Sequence, residues 1–273
     1  MKSKTTKQPR FILLKEERKL MTCNTPGVYV YRVKYTNSKD VPKEHRGKKG
    51  GWAQNESNIR DSALVLDNAV VFGNAVVGGV SIVRGDAMVR NSATVTDSCL
   101  IGDKADVAGN CQISGSSTIK GGAIVFGFAM VKSCKVFGSA RISGSAYCYN
   151  SAIIDRATVK ENARVCSSVL YNDAYVYGDA DISVIELGDS AHIYGGVWSE
   201  KIVPVAIRGT RHHVCEPAPG VIKIGREIHT IGIWKRDFAK IGKANKYTKP
   251  QIAEYKAYID LIDKMQEIRK IPA

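Results

Sequence analysis

From Ala63 onward a small residue returns every six positions, and an aliphatic residue stands two places after it. The small series runs Ala63, Ala69, Ala75, Ser81, Ala87, Ala93, Cys99, Ala105, Cys111, Ser117, Ala123 and Ala129. Its aliphatic partners are Val65, Val71, Val77, Val83, Val89, Val95, Ile101, Val107, Ile113, Ile119, Val125 and Val131. Glycine or a short polar residue usually follows two places later, as at Gly73, Gly79, Gly85, Asp97, Asp103 and Gly109. With occasional five-residue steps the small series continues through Cys134, Ala140, Ala146, Ala152, Ala157, Ala163, Ser168, Ala174 and Ala180 to Ala191. Its partners there are Val136, Ile142, Ile154, Val159, Val165, Val176, Ile182 and Ile193.

A period of six matches neither a 3.6-residue helix nor an ordinary hairpin. Spacing by two puts the small and the aliphatic side chains on one side of a short strand. A turn then bends the chain by about a third of a circle, and three hexads close a triangular coil. Gly, Asn and Asp at the corners supply the positive φ that such turns require. The predicted fold is mainly β: a left-handed parallel β-helix of about seven coils over residues 59–198, on the order of 34 Å long at roughly 4.8 Å per coil. Val65, Val83, Ile101 and Ile119 are expected in one column.

Hydrophobic residues make up 44% of the 273 and charged residues 24%, which excludes a disordered chain. No apolar run approaches the roughly 18 residues that span a bilayer. After the basic start Met1-Lys2-Ser3-Lys4 the only nearby apolar stretch is Phe11 to Leu14, too short for a secretory signal, so a secreted or membrane-integral protein is not expected. The seven cysteines form no C-x-x-C pair and read as reduced thiols. Cys99, Cys111 and Cys134 take small slots and Cys148 an aliphatic slot, where they act as small hydrophobes.

Charge is uneven. Residues 1–58 hold 14 basic and 5 acidic side chains, net +9. Residues 59–198 hold 11 and 13, net −2, and residues 199–273 hold 15 and 8, net +7. Basic flanks point to anionic partners, nucleic acid among them, or to a solvated surface. Residues 1–27 read as a basic arm with a short helix around Lys15 to Met21. Residues 28–58, with the alternating run from Val28 to Tyr35, read as a cap over the first coil plugged by Trp52. Residues 199–229 read as a connection holding a short strand at Val221–Ile224. Residues 230–273 read as a helical hairpin, its second helix opened by a Thr248-x-x-Gln251 capping box.

Two outer features suggest interfaces. Leu64, Ile82, Leu100, Thr118, Ile153 and Val169 follow small residues on one face and form an apolar stripe. A trimer axis or the N-terminal segment is expected to cover it. Tyr147, Tyr149, Tyr171, Tyr175, Tyr177, Tyr194 and Trp198 make a second, aromatic cluster, readable as strand propensity or as a binding surface.

The Gly50-Gly51-Trp52 segment with Glu56 and Asn58, the Ala-x-Val hexads, and the tail from Ile224-Gly225 through His229-Thr230, Trp234, Ile241-Gly242, Tyr247-Thr248 and Gln251 to Glu254-Tyr255 resemble phage- and prophage-encoded hexapeptide-repeat proteins. The resemblance covers most of residues 28–268 and implies a trimer. Acyltransferases of that fold use a His as general base and acyl-CoA or acyl carrier protein as donor. Here the repeat has no long insertion, and His192 in the last hexad is the candidate base. His212, His213, Cys215 and His229 are candidate metal ligands, although their spacing matches no standard site. The expected function is that of a non-enzymatic structural or interaction protein without a cofactor, such as a capsid- or tail-associated virion component. The alternatives are a host-directed factor that binds a bacterial protein or sequesters a small ligand, and an acyltransferase. The expected location is the host cytoplasm or the virion.

Overall fold

The structure is a computed structural model and describes residues 9–22, 27–189, 191–200 and 202–269. The hexads fold as the spacing dictates. Two- and three-residue strands stack in parallel on three faces of a prism. On one face nine strands run in parallel from Lys49–Ala53 to His192–Ile193, and the other two faces carry eight each. Val65, Val83, Ile101 and Ile119 stand in register as expected. The prism has about nine turns, more than the seven read from the hexads. Coils without a clean repeat extend it at both ends: Trp52-Ala53 pairs with Val70-Val71, Ile59 bridges Val77, and Val197–Trp198 pairs with Asp181-Ile182.

The interior is largely aliphatic. The inward Val and Ile residues and the alanines are essentially fully buried. Corner backbone is set by a repeating device. Asp61, Asp67, Asp97 and Asp103 have positive φ, and each carboxylate accepts from the amide of the corner glycine one coil on: Gly79, Gly85, Gly115 and Gly121, at 2.7–3.0 Å. From Ser117 on, coils shorten to 17 residues, and every deletion falls on the same corner, at Ser133, Asn150, Ser167 and Val184. Stacked coils share one cross-section, so a residue removed from one must be removed from the next. This shifts the small slot to Ser151, whose Oγ accepts from the Ser168 amide at 3.2 Å. Ile153 is therefore an inward core residue with no exposure, not part of the outer stripe, and Ala152 faces out in its place.

The buried thiols pack as small hydrophobes. Burial pushes Cys99 and Cys134 up to about 11 and Cys111 to about 12, and raises Cys148 well above its ordinary value. All six described cysteines are free, while Cys23 and residues 1–8 lie outside the described residues.

The N-terminal segment closes the first coil as a sheet. Strand β1 (Phe11–Met21) pairs antiparallel with β2 (Val28–Tyr35), and β2 with β3 (Lys49–Ala53). The helix expected at Lys15 to Met21 is replaced by β1, because pairing with β2 satisfies backbone groups that a short isolated helix leaves marginal. Lys15-Glu16-Glu17 bulges out where the register jumps from Leu14 to Arg18. Trp52 is not the plug. It lies half-buried outside the coil, beside Val30, Val70 and Phe72, with the Arg32 guanidinium 4.7 Å from its ring. Tyr35 is the plug: its hydroxyl donates to the Val65 carbonyl at 3.1 Å and accepts from the Val65 amide at 2.7 Å. Gly50 permits this, since a Cβ there would meet the Val65 oxygen at 2.4 Å and the Tyr35 ring at 2.7 Å. At the far end Trp198, fully buried, closes the column, its indole N–H donating to the Gly195 carbonyl at 2.8 Å.

Beyond the prism, Ala206–Arg208, His213–Ala218, Val221–Ile224 and Glu227–Thr230 form a four-stranded antiparallel meander. The segment read as a connection with one strand thus holds most of a sheet. Its short strands, one containing Pro217, carry too little alternation to be read from sequence. Helices α1 (Ile231–Ala244) and α2 (Lys249–Arg269) pack on it as the expected hairpin. The capping box is present: the Thr248 amide donates to Gln251 Oε1 at 3.0 Å and the Gln251 amide to Thr248 Oγ1 at 3.4 Å. Val214, Ile222, Ile224, Trp234, Tyr255, Ile259 and Ile262 form a second core. Among the described residues no helix is long and apolar enough to cross a membrane.

Candidate functional site

The chemistry-bearing side chains gather where the last coil meets the C-terminal sheet. His192 occupies an outward position of the final strand on the nine-stranded face, one coil beyond Tyr175. Their rings stand 5.3 Å apart, and Tyr177 and Tyr194 continue the row, with Lys160 5.3–5.4 Å above Tyr175 and Tyr177. Burial, with help from the nearby Lys223 charge, lowers His192 to about 4. An imidazole that weakly basic is neutral at pH 7 but a poor proton acceptor, which counts against a general-base role.

The C-terminal sheet turns one face toward His192. Cys215 and Lys223 are cross-strand partners, and the Cys215 thiol donates to the His192 carbonyl at 3.8 Å. Burial raises the Cys215 thiol and lowers the half-buried Lys223 ammonium. His192, Arg211, His212, His213, Cys215 and Lys223 line an open cavity of about 200 Å³. Three of the four candidate metal ligands therefore meet here, without forming a metal site. Among the described residues no group of three or more His, Cys, Asp or Glu side chains is placed to hold an ion. His229 lies apart, 3.1 Å from Glu227 Oε2 and packed edge-on against Trp234. Sequence reading missed Arg211 and Lys223; the cross-strand pairing of Lys223 with Cys215 brings it in, and that pairing needs the meander.

The other face of the sheet and the two helices enclose a cavity of about 300 Å³. Trp234, Phe238, Ile241, Tyr247 and Tyr255 give it apolar walls, with Arg226, Glu227 and Asn245 as polar groups. The walls are fixed by hydrogen bonds. Trp234 Nε1 donates to the Ile222 carbonyl at 2.8 Å, and Tyr255 donates to the His212 carbonyl at 2.9 Å while accepting from the Arg211 amide at 3.0 Å. The Arg211 guanidinium sits 4.7 Å from the Tyr247 ring.

The proposed interface residues divide. Leu64 is buried and belongs to the same apolar cluster as Leu13, Tyr35 and Val41, with Ile82 packed against it. The N-terminal segment reaches the start of the stripe, where Arg10 Nη2 donates to the Ala63 carbonyl at 3.5 Å, while Leu100, Thr118 and Val169 are half-buried. Trp198 is core and not interface. Tyr147 is on a different face from Tyr175, with the Arg164 guanidinium 5.2 Å from its ring. A patch that the hexad reading passed over is more exposed: Phe126, Phe128 and Met130 flank the corner Gly127 at 43, 65 and 42% exposure. Its sequence signal is the run Phe-Gly-Phe-Ala-Met, with large apolar residues in the outward slots of consecutive hexads.

Comparison with protein-family models gave no match, and neither did comparison with curated proteins.

Proposed function

We propose that the protein is a non-enzymatic interaction scaffold of the phage-encoded hexapeptide-repeat kind that its sequence resembles, in its finer form a capsid- or tail-associated component that trimerises. The observation that carries this reading is the corner patch of Phe126, Phe128 and Met130 on an otherwise closely packed prism. Three large apolar side chains this exposed and this close together mark a contact surface. The backbone beneath them is held by the coil-to-coil ladder, so the patch is presented rigidly: the Phe126 amide donates to Ile142 and the Phe128 amide to Gly144. Two measurements test it. Solution mass of the chain and of Phe128→Ser is expected to show an oligomer that the substitution dissociates. Mass spectrometry of purified particles tests the virion assignment, and absence of the protein from particles overturns that part.

A second reading, capture of a small ligand, is favoured by the 300 Å³ cavity between the C-terminal sheet and the helices. Its aromatic walls and few polar groups have the composition of small-molecule pockets. A shift in thermal midpoint on screening apolar and aromatic ligands, lost in Phe238→Asp, would support it.

A further inference from the structure

The basic cavity beneath the last coil has no part in the scaffold reading. We propose that it is an anion site that takes the phosphate group of a small phosphorylated molecule. Three strands and a loop bring its donors together. His213 and Cys215 are two apart on one strand, and Lys223 pairs with Cys215 from the next, so all three side chains share a sheet face. That face meets the outward His192 of the final coil, and Arg211 and His212 close the rim from the preceding loop.

The lining offers hydrogen-bond donors and positive charge, and no carboxylate is among the lining residues. The nearest acidic neighbour on that strand, Glu216, turns to the opposite side, where Arg269, Gln266 and the Val205 amide occupy it. Among the described residues no carboxylate pairs with Lys223. Burial draws its ammonium below the ordinary range, and burial followed by that same charge keeps His192 low. A bound anion would favour the charged forms of both side chains. Arg211 stands at the rim, its Nη1 donating to the Lys246 carbonyl at 2.8 Å and its guanidinium 4.7 Å from the Tyr247 ring centroid. The cavity is open on one side, leaving room for the rest of the ligand.

The test is calorimetric titration of the full chain with inorganic pyrophosphate in chloride buffer at pH 7. One site is expected. Lys223→Met and Arg211→Met are each expected to weaken it at least about tenfold, with unchanged far-ultraviolet dichroism. Lys135→Met, an exposed lysine on the prism, serves as the control for general charge and is expected to leave affinity unchanged. If Lys223→Met does not fold, the exposed Arg211→Met decides alone. No binding up to about 10 mM, or equal weakening by Lys135→Met, overturns the proposal. Vesicles containing phosphatidic acid form a second arm. Binding to them without binding of pyrophosphate assigns the charge to a lipid surface, and likewise overturns the proposal.

Discussion

Arg269 Nη1 lies 2.6 Å from Glu216 Oε2, an ion pair in which the carboxylate is almost wholly buried. It ties the last turn of α2 to the middle of the C-terminal sheet. Gln266 donates to the other carboxylate oxygen and the Val205 amide to the same one, so both oxygens have partners. A buried pair contributes little against an apolar replacement of both members, but removing one member leaves an uncompensated charge. Arg269→Met is therefore expected to destabilise the C-terminal unit by about 3–5 kcal/mol in denaturant titration. Adding Glu216→Gln to it is expected to restore part of that loss. Equal stability of the single and double variants would contradict the account.

The corner glycines admit no side chain. A Cβ on Gly79, where φ is +65°, would stand 2.3 Å from the Asp97 carbonyl oxygen of the next coil. Gly79→Ala is expected to cost on the order of 2 kcal/mol or more, from backbone strain and the displaced ladder. Asp61→Ala loses the hydrogen bond that its carboxylate accepts from the Gly79 amide and is expected to cost about 1 kcal/mol. Urea midpoints of the two variants check the order.

Tyr35→Phe keeps the plug and removes the hydroxyl that both donates to and accepts from Val65. A buried amide then loses its partner, and a loss of about 2 kcal/mol is expected. Burial raises the Tyr35 hydroxyl to about 12 against 10.0 in an unfolded chain. Its contribution is complete below pH 10 and is lost as pH climbs from 10 to about 12. The Phe variant is expected to lose less stability across that interval, as read by dichroism.

Acid acts through His192. Its folded value of about 4 lies below the unfolded 6.5, so between these values the unfolded chain binds more protons. Stability is expected to fall as pH drops from about 6.5 to about 4, and His192→Gln is expected to flatten that slope. The imidazole is only partly buried, so screening keeps the effect smaller than the shift alone implies. An unchanged slope would place the acid sensitivity elsewhere.

Most of the prism was legible before any coordinates. Ala-x-Val at a six-residue period admits one closed arrangement, and the registers of Val65, Val83, Ile101 and Ile119 followed. The helical hairpin was legible too, through the capping box at Thr248. Ile153 was misplaced because two slots, Ser151 and Ala152, fit a small residue equally well. Only stacking of the shortened corner against Ser133 and Ser167 selects Ser151.

Local periodicity decides which side chains of a short strand face inward, because that depends on alternation along the chain alone. It therefore determined the β-helix, its core and its glycine corners. What seals the column, with Tyr35 at one end and Trp198 at the other, and which residues meet across the junction, depends on contacts between segments far apart in the chain. Lys223 reaches His192 only because an antiparallel register sets it beside Cys215 and the sheet docks on the final coil. Such encounters are fixed by packing energy between surfaces, to which no short-range pattern is tied.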